Sequence, residues 1–152
     1  MGCYLAIVRL ATLLLIASLA VGGCNDVRTF EGTWNGPRVG DAAPLHVGVA
    51  MNATAALAID AIDTHGMHGR LSIAGLVDDA EVASVEGAEA DVLSGLTWSG
   101  APMRVYLAFV AIPDAGGEAL AVIALYDAHR IEVRVLRGGT KPLYGIFALA
   151  QG

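Results

Sequence analysis

The amino-acid sequence predicts an all-β domain, an antiparallel meander of about eight to ten short strands that forms a small barrel or a sandwich. Apolar and polar residues alternate with a period of two over much of the chain, and Gly, Pro, Asn and Asp interrupt the pattern at short intervals. Hydrophobic residues make up 55% of the 152 residues and charged residues 16%, which excludes a disordered chain. The connections are too short for crossover helices, so antiparallel pairing is expected.

The predicted strands follow one another at residues 30–36, 45–51, 55–60, 70–77, a weaker pair at 82–86 and 91–98, then 103–112, 119–126, 131–136 and 143–149. The segment 131–136 alternates most regularly, with Ile131, Val133 and Val135 on one face and Glu132 and Arg134 on the other. The Ala-rich stretches 53–61 and 80–90 are alternatively helical by propensity. Their turn-rich flanks and β-branched neighbours favour strands.

The strand predicted at 103–112 is apolar on both faces. Met103, Val105, Leu107 and Phe109 share one face, and Tyr106, Ala108, Val110 and Ile112 share the other. A strand of this kind needs cover on two sides. The sequence therefore predicts that its outer face is covered by a loop or a helix, meets a partner such as a second copy, or lies against a membrane.

The amino terminus has the pattern of an export signal. Residues 10–21 form an uncharged, largely apolar run directly after Arg9, and no acidic residue precedes Asp26. A membrane-spanning helix needs about 20 apolar residues, so the run fits the apolar core of a cleaved signal helix instead. A retained single-pass anchor that starts at Tyr4 is an alternative, although Arg9 would interrupt it.

The signal ends in Val21-Gly22-Gly23-Cys24, which resembles the lipobox of bacterial lipoproteins. The resemblance implies cleavage between Gly23 and Cys24, a diacylglycerol on the Cys24 thiol, and often a further acyl chain such as palmitate on the new amino terminus. It also implies a place in the cell envelope, on the outer membrane facing the periplasm or on the outer face of a cell membrane. An ordinary secretory signal that is cut after Ala20 is the alternative.

These features divide the chain into a signal peptide at 1–23, a lipidated amino terminus with a short tether at 24–29, and one β-domain at 30–152. The chain has two cysteines: Cys3 leaves with the signal, and Cys24 carries the lipid. The exported domain is therefore expected to be stable without a disulfide.

At the start of the domain, Phe30-x-Gly32-x-Trp34 resembles the Gly-x-Trp opening of lipocalin-like (calycin) barrels. The resemblance implies that Trp34 closes one end of the barrel, that Gly32 lets the chain approach it, and that an arginine packs on the tryptophan. Arg134 and Arg137 are the candidates for that arginine.

A barrel of eight strands encloses a space that side chains fill or that holds one small ligand. Small residues that are expected to face inward would leave such a space less filled: Gly48, Ala50, Ala56, Ala58, Ala108, Ala121 and Ala124. Close approach of two sheets would explain the same small residues.

The sequence carries no catalytic pattern. Gly-x-Ser-x-Gly is absent, no cysteine remains free after export, and no motif surrounds Ser72, Ser84, Ser94 or Ser99. The formal net charge of −6 argues against a nucleic-acid partner. We therefore predict a non-enzymatic protein with no catalytic residue, no cofactor and no bound nucleic acid.

Two histidines flank a methionine at His65-Gly66-Met67-His68. Imidazole and thioether ligands suit copper, imidazole suits zinc, and His46 or Asp63 would supply a further ligand. A polar hairpin loop explains the pattern equally well, and no residue is identified that would orient the ligands. We predict no metal site, with His65 and His68 as the residues that would hold a metal if there were one.

The sequence as a whole predicts a lipid-anchored protein of the cell envelope whose β-domain is a structural or protein-interaction module. Its partners are then the membrane, through the lipid anchor, and an envelope protein that meets an exposed sheet face or edge. The alternative is a lipocalin-like carrier of a small apolar ligand.

Overall fold

Eight strands form one closed antiparallel barrel in the computed structural model, which describes residues 26–39, 46–87, 98–113, 117–126 and 129–152. The strands are β1 (Gly32–Pro37), β2 (Thr54–Ile62), β3 (Gly66–Ile73), β4 (Val77–Glu86), β5 (Arg104–Ala111), β6 (Glu118–Tyr126), β7 (Arg130–Arg137) and β8 (Leu143–Gln151), after a short 3-10 helix, η1 (Val27–Phe30). Each strand pairs with the next, and β8 pairs with β1. The predicted all-β meander is confirmed, as a barrel and not a sandwich.

The alternation along each strand divides its side chains between the barrel interior and the outer wall. On β7, Ile131, Val133 and Val135 belong to the core, as predicted, and Glu132 and Arg134 face outward. Large, fully buried side chains fill the interior, among them Trp34, Leu57, Met67, Leu71, Ile73, Tyr106, Ile123, Leu125 and Phe147. A barrel of eight strands is just wide enough for side chains to fill it.

The two ends of the barrel are built differently. The helix end carries η1 and the β2–β3 turn, and the far end carries the β3–β4 turn at 74–76. The side chain of Asp26 caps η1 by accepting a hydrogen bond of 3.0 Å from the backbone N–H of Arg28. Val27 and Phe30 are buried in the core. The helix therefore closes its end of the barrel.

The second predicted strand, at 45–51, does not form in its described part, residues 46–51. There Val47 alone makes a bridge, with Tyr144 of β8. Gly48 has a φ of +69°, a left-handed conformation that ends an extended run. The prediction was wrong because alternation of residue types does not reveal where the backbone turns left-handed.

Two further strand predictions need correction or lie partly outside the described residues. The run at 70–77 is interrupted, because β3 ends at Ile73 and β4 begins at Val77 after a turn in which Gly75 has a φ of +74°. Of the predicted strand at 91–98, residues 91–97 lie outside the described part, and Trp98 is not in a strand.

Candidate interaction surface on the barrel wall

Trp34 lies at the helix end of the barrel and is fully buried. Its indole Nε1 donates a hydrogen bond of 2.8 Å to the carbonyl oxygen of Phe30, and the two rings stack with centroids 5.5 Å apart. The ring of His129 lies 5.7 Å from that of Phe30 on the centroid-to-centroid distance. Gly32 has a φ of +122°, which favours glycine. These contacts attach η1 to the first strand.

The two arginines that were expected near Trp34 lie elsewhere. The guanidinium carbon of Arg134 is on the outside of the barrel, 4.1 Å from the centroid of the Trp98 ring. Arg137 ends β7 at the far end, where its Nε donates a hydrogen bond of 3.0 Å to the carbonyl oxygen of Lys141. The alternation of β7 explains the position of Arg134, because its neighbours Val133 and Val135 occupy the interior.

Most of the small residues that were expected to face inward do not. Ala108 and Ala121 belong to the core. The others lie on the outer side of the barrel or in an exposed loop: Gly48, Ala50, Ala56, Ala58 and Ala124. On β2 the residues that face inward are Ala55, Leu57 and Ile59, so the alternation is shifted by one residue from the predicted inward positions Ala56 and Ala58.

The outer face of β5 and its neighbours carries a row of apolar side chains, which we call the open wall: Val85, Val105, Leu107, Phe109 and Leu120. Phe109 is 69% exposed and Val85 is 65% exposed. Val85 stands opposite Leu107, and Phe109 opposite Leu120, so the side chains share one face across three strands. The row follows from the apolar outer face of β5; Phe109 and Val85 are its exposed members, whereas Val105, Leu107 and Leu120 are half-buried.

The strand pairing beneath the open wall is uneven. The β4–β5 ladder has two residue pairs, Val85 with Leu107 and Glu86 with Tyr106, and the Gly87 N–H continues it by donating to the Val105 carbonyl oxygen at 3.0 Å. The ladder between β5 and β6 runs the whole length of β5. An ion pair between Arg104 and Glu86 marks the helix end of the open wall. The open wall therefore spans a short β4–β5 ladder and a longer β5–β6 ladder.

Another part of the outer surface is protected from solvent, and we call it the covered wall: Tyr126, Glu132 and Arg134, beneath Trp98 and Ser99. Arg134 is 1% exposed and Glu132 is 4% exposed. The Arg134 Nε donates to Glu132 Oε1 at 2.7 Å, and the Ser99 hydroxyl donates to Glu132 Oε2 at 2.6 Å. Both carboxylate oxygens are thereby satisfied, as a buried charge requires.

Aromatic rings complete the covered wall. Trp98 lies against the Arg134 guanidinium, and the Arg130 guanidinium lies 4.1 Å from the centroid of the Tyr126 ring. Burial raises the pKa of the Tyr126 phenol, and a hydrogen bond with Ser99 opposes that shift. The sequence indicated that Glu132 and Arg134 face outward, but it did not indicate that they are buried there. The one sequence feature that could have indicated this burial is the Trp98-Ser99 pair, because a tryptophan beside a turn can cover a neighbouring strand.

Three of the serines that the sequence singled out, Ser72, Ser84 and Ser99, make structural hydrogen bonds. The Ser84 hydroxyl donates to the Met67 carbonyl oxygen at 3.2 Å, and the Ser72 hydroxyl accepts from the Asp79 backbone N–H at 3.1 Å. Ser99 donates to a carboxylate that Arg134 already neutralises, so Glu132 is a structural acceptor there and not a general base. Ser94 lies outside the described residues.

The histidines of the predicted loop lie at the helix end, in an open cleft that Asp63 shares. His46 is elsewhere, with its Nε2 2.9 Å from the carbonyl oxygen of Val39. Within the described ranges, no three His, Cys, Asp or Glu side chains are close enough to hold a metal ion. The structure therefore does not bring His46 to His65 and His68.

The candidate modification site, Gly23 and Cys24, lies outside the described residues. Across the described ranges, no helix has the length and hydropathy that crossing a bilayer demands. Comparison of the chain with protein-family models, with curated proteins and with solved structures finds no match.

Proposed function

We propose that this chain is a lipid-anchored protein of the cell envelope whose barrel is a non-enzymatic module for binding an envelope protein. Cys24 carries the lipid, on the outer membrane facing the periplasm or on the outer face of a cell membrane. The partner binds the open wall. The exposure of Phe109 and Val85 on one continuous apolar face is the observation that supports this proposal.

The chemistry of the open wall suits a protein partner. Fully burying a phenylalanine or valine side chain contributes about 1.5–3 kcal/mol, and exposed aromatic side chains are preferred anchors in interfaces. The ion pair of Arg104 with Glu86 supplies a polar rim beside the apolar row. A partner with an apolar surface of its own would therefore gain most by covering Phe109 and Val85, the two most exposed side chains of the open wall.

The carrier hypothesis has weaker support. The barrel interior is occupied by side chains such as Leu57, Met67, Tyr106 and Phe147, all fully buried. A ligand inside the barrel would have to displace such side chains. For this reason we place the binding function on the outer wall.

Site-specific photo-crosslinking in the native host tests the proposal. A photoreactive amino acid at position 109 is expected to give a discrete adduct with one envelope protein. The matched control is position 51, because Met51 is 79% exposed and lies outside the open wall. An absence of adducts at position 109, or the same adduct from both positions, would contradict the proposed partner surface.

The anchor is tested separately. Metabolic labelling with a radioactive fatty acid is expected to mark the wild type and not Cys24→Ser, and the variant precursor is expected to remain uncut by the lipoprotein peptidase. An unmodified Cys24 sulfur in mature protein from the native host would overturn the anchoring.

A further inference from the structure

An open cleft of about 620 Å³ lies at the helix end of the barrel. One side is formed by η1 and the residue after it, with Arg28 and Glu31. The other side is formed by the β2–β3 turn, with Asp63 and His65. Ile62, a core residue that is 4% exposed, also lines the cleft. The cleft is thus lined by an arginine and by two acidic residues, and the positive charge of Arg28 acts on the Asp63 carboxyl.

Both sides of the cleft are held by hydrogen bonds. Asp63 Oδ1 accepts from the backbone N–H groups of His65 and Gly66, at 2.7 and 2.9 Å, and the Tyr106 hydroxyl donates to the Asp63 carbonyl oxygen at 2.5 Å. The two backbone hydrogen bonds hold the pKa of the Asp63 carboxyl below its usual range, so it is ionised at neutral pH. On the other side, the Glu31 N–H donates to the Arg28 carbonyl oxygen at 3.0 Å. These hydrogen bonds fix the backbone at Asp63 and at Arg28 before a ligand binds.

The cleft lies beside the proposed anchor. Only Asn25 separates Cys24 from Asp26, the residue that caps η1. A chain spans at most about 3.6 Å per residue, so the Cα atoms of Cys24 and Asp26 are no more than about 7 Å apart. A lipid on Cys24 therefore brings the helix end of the barrel to the headgroup layer of the membrane.

We propose that this cleft binds the phosphoethanolamine headgroup of a membrane phospholipid, an inference that rests on the proposed lipid anchor. The Arg28 guanidinium receives the phosphate through paired hydrogen bonds. The carboxylates of Glu31 and Asp63 receive the primary ammonium, whose N–H groups are donors. The barrel is thereby oriented with its helix end on the bilayer and its open wall accessible from the side.

The mixture of charges selects this headgroup over simpler ones. The two carboxylates repel a purely anionic headgroup, and the Arg28 guanidinium repels a simple cation. A zwitterion with adjacent phosphate and ammonium satisfies both signs at once. A choline headgroup has the same charges, but its quaternary ammonium has no N–H to donate to Glu31 or Asp63.

The test uses the processed full chain from its host, in detergent, with glycerophosphoethanolamine as the probe. Saturable shifts of the His65 and Gly66 amide NMR signals are expected. Arg28→Gln and Glu31→Gln each remove a charge-assisted contact and are expected to weaken binding about tenfold. Arg70→Gln is the matched control, because Arg70 is an exposed arginine that pairs with Asp79 outside the cleft, and its binding is expected to equal the wild type. Equal binding of inorganic phosphate or glycerophosphocholine, or wild-type binding by both cleft variants, would overturn the proposal.

A second experiment tests whether the headgroup comes from a membrane lipid, and it distinguishes failure of the headgroup site from failure of the lipid anchor. In nanodiscs that contain phosphatidylethanolamine, the His65 and Gly66 signals are expected at their bound positions without added probe, and in phosphatidylcholine discs at their free positions. Identical signals in both discs would contradict a lipid source. The mass of the mature amino-terminal residue, measured on the same preparation, reports the anchor alone, so a missing acyl group and a missing headgroup site give different results.

Discussion

The open wall around β5 and the covered wall around β7 arise from the same strand alternation but have opposite environments. On the open wall, apolar Phe109 and Val85 face solvent. On the covered wall, charged Glu132 and Arg134 are almost completely buried. The difference lies in the second layer, because Trp98 and Ser99 lie on the charged pair and none of the described residues lies on Phe109. Exposure on a barrel wall is therefore set by what covers a strand, and not by residue type alone.

The largest expected effect comes from breaking the buried ion pair. Arg134→Met leaves the Glu132 carboxylate buried without its cation, and removal of one partner of such a pair costs about 3–5 kcal/mol of unfolding free energy. Urea denaturation measures the loss. The double variant Glu132→Leu/Arg134→Met removes both charges and is expected to recover most of it. If Arg134→Met were as stable as the wild type, the covered wall would not be the closed layer described above.

A smaller loss is expected from Ser99→Ala, which removes the hydroxyl donor to Glu132 Oε2. A hydrogen bond to a charged group contributes about 1.5–3 kcal/mol, and the partial exposure of Ser99 puts the expected loss near the lower end. Ser72→Ala is the matched control, because that hydroxyl accepts from one backbone N–H, of Asp79, across the β3–β4 hairpin. The same denaturation experiment compares them, and equal losses would show that the covered wall adds nothing to this hydrogen bond.

The tyrosines make the covered wall sensitive to alkali. Burial raises the pKa of Tyr126, and also that of Tyr144 on β8 outside the covered wall, so the unfolded chain loses these protons first as pH rises. The stabilisation is fully present below the unfolded tyrosine pKa of about 10 and is lost as pH rises through the folded value. Tyr126→Phe is expected to flatten the decline in stability above about pH 10. An unchanged pH profile would show that the Tyr126 phenol is not held in its neutral form.

The sequence predicted the parts of this comparison that depend on single strands. The alternation at 131–136 placed Ile131 and Val133 inside and Glu132 outside, and the two-sided apolar pattern of 103–112 indicated a surface that needs cover or a partner. What it could not predict depends on contacts between distant segments. Trp98 and Glu132 are far apart along the chain, and no periodicity reports that one will cover the other.

The same limit applies to the candidate sites. Gly32 and Trp34 are close in sequence, and both lie at the helix end. The arginine that was expected to pack on Trp34 had to come from a distant strand, and that prediction was wrong, because Arg134 lies on Trp98 outside the barrel. The sequence could not predict the cleft beside η1 either, because the cleft brings together Arg28 and Asp63, which are far apart along the chain. A short 3-10 helix has no hydrophobic periodicity that would indicate it.

The smallest effect on stability, and the sharpest contrast between the walls, is expected at Phe109. Phe109→Ser replaces a largely exposed side chain, so the unfolding free energy is expected to stay within about 0.5 kcal/mol of the wild type. Phe147→Ser, a matched change of a fully buried ring in the core, is expected to cost at least about 3 kcal/mol. Co-purification from crosslinked membranes is expected to lose the proposed partner in Phe109→Ser although the barrel is intact. A stable Phe109→Ser protein that keeps that partner would move the interaction away from the open wall, whereas a strongly destabilised one would show that Phe109 is covered after all.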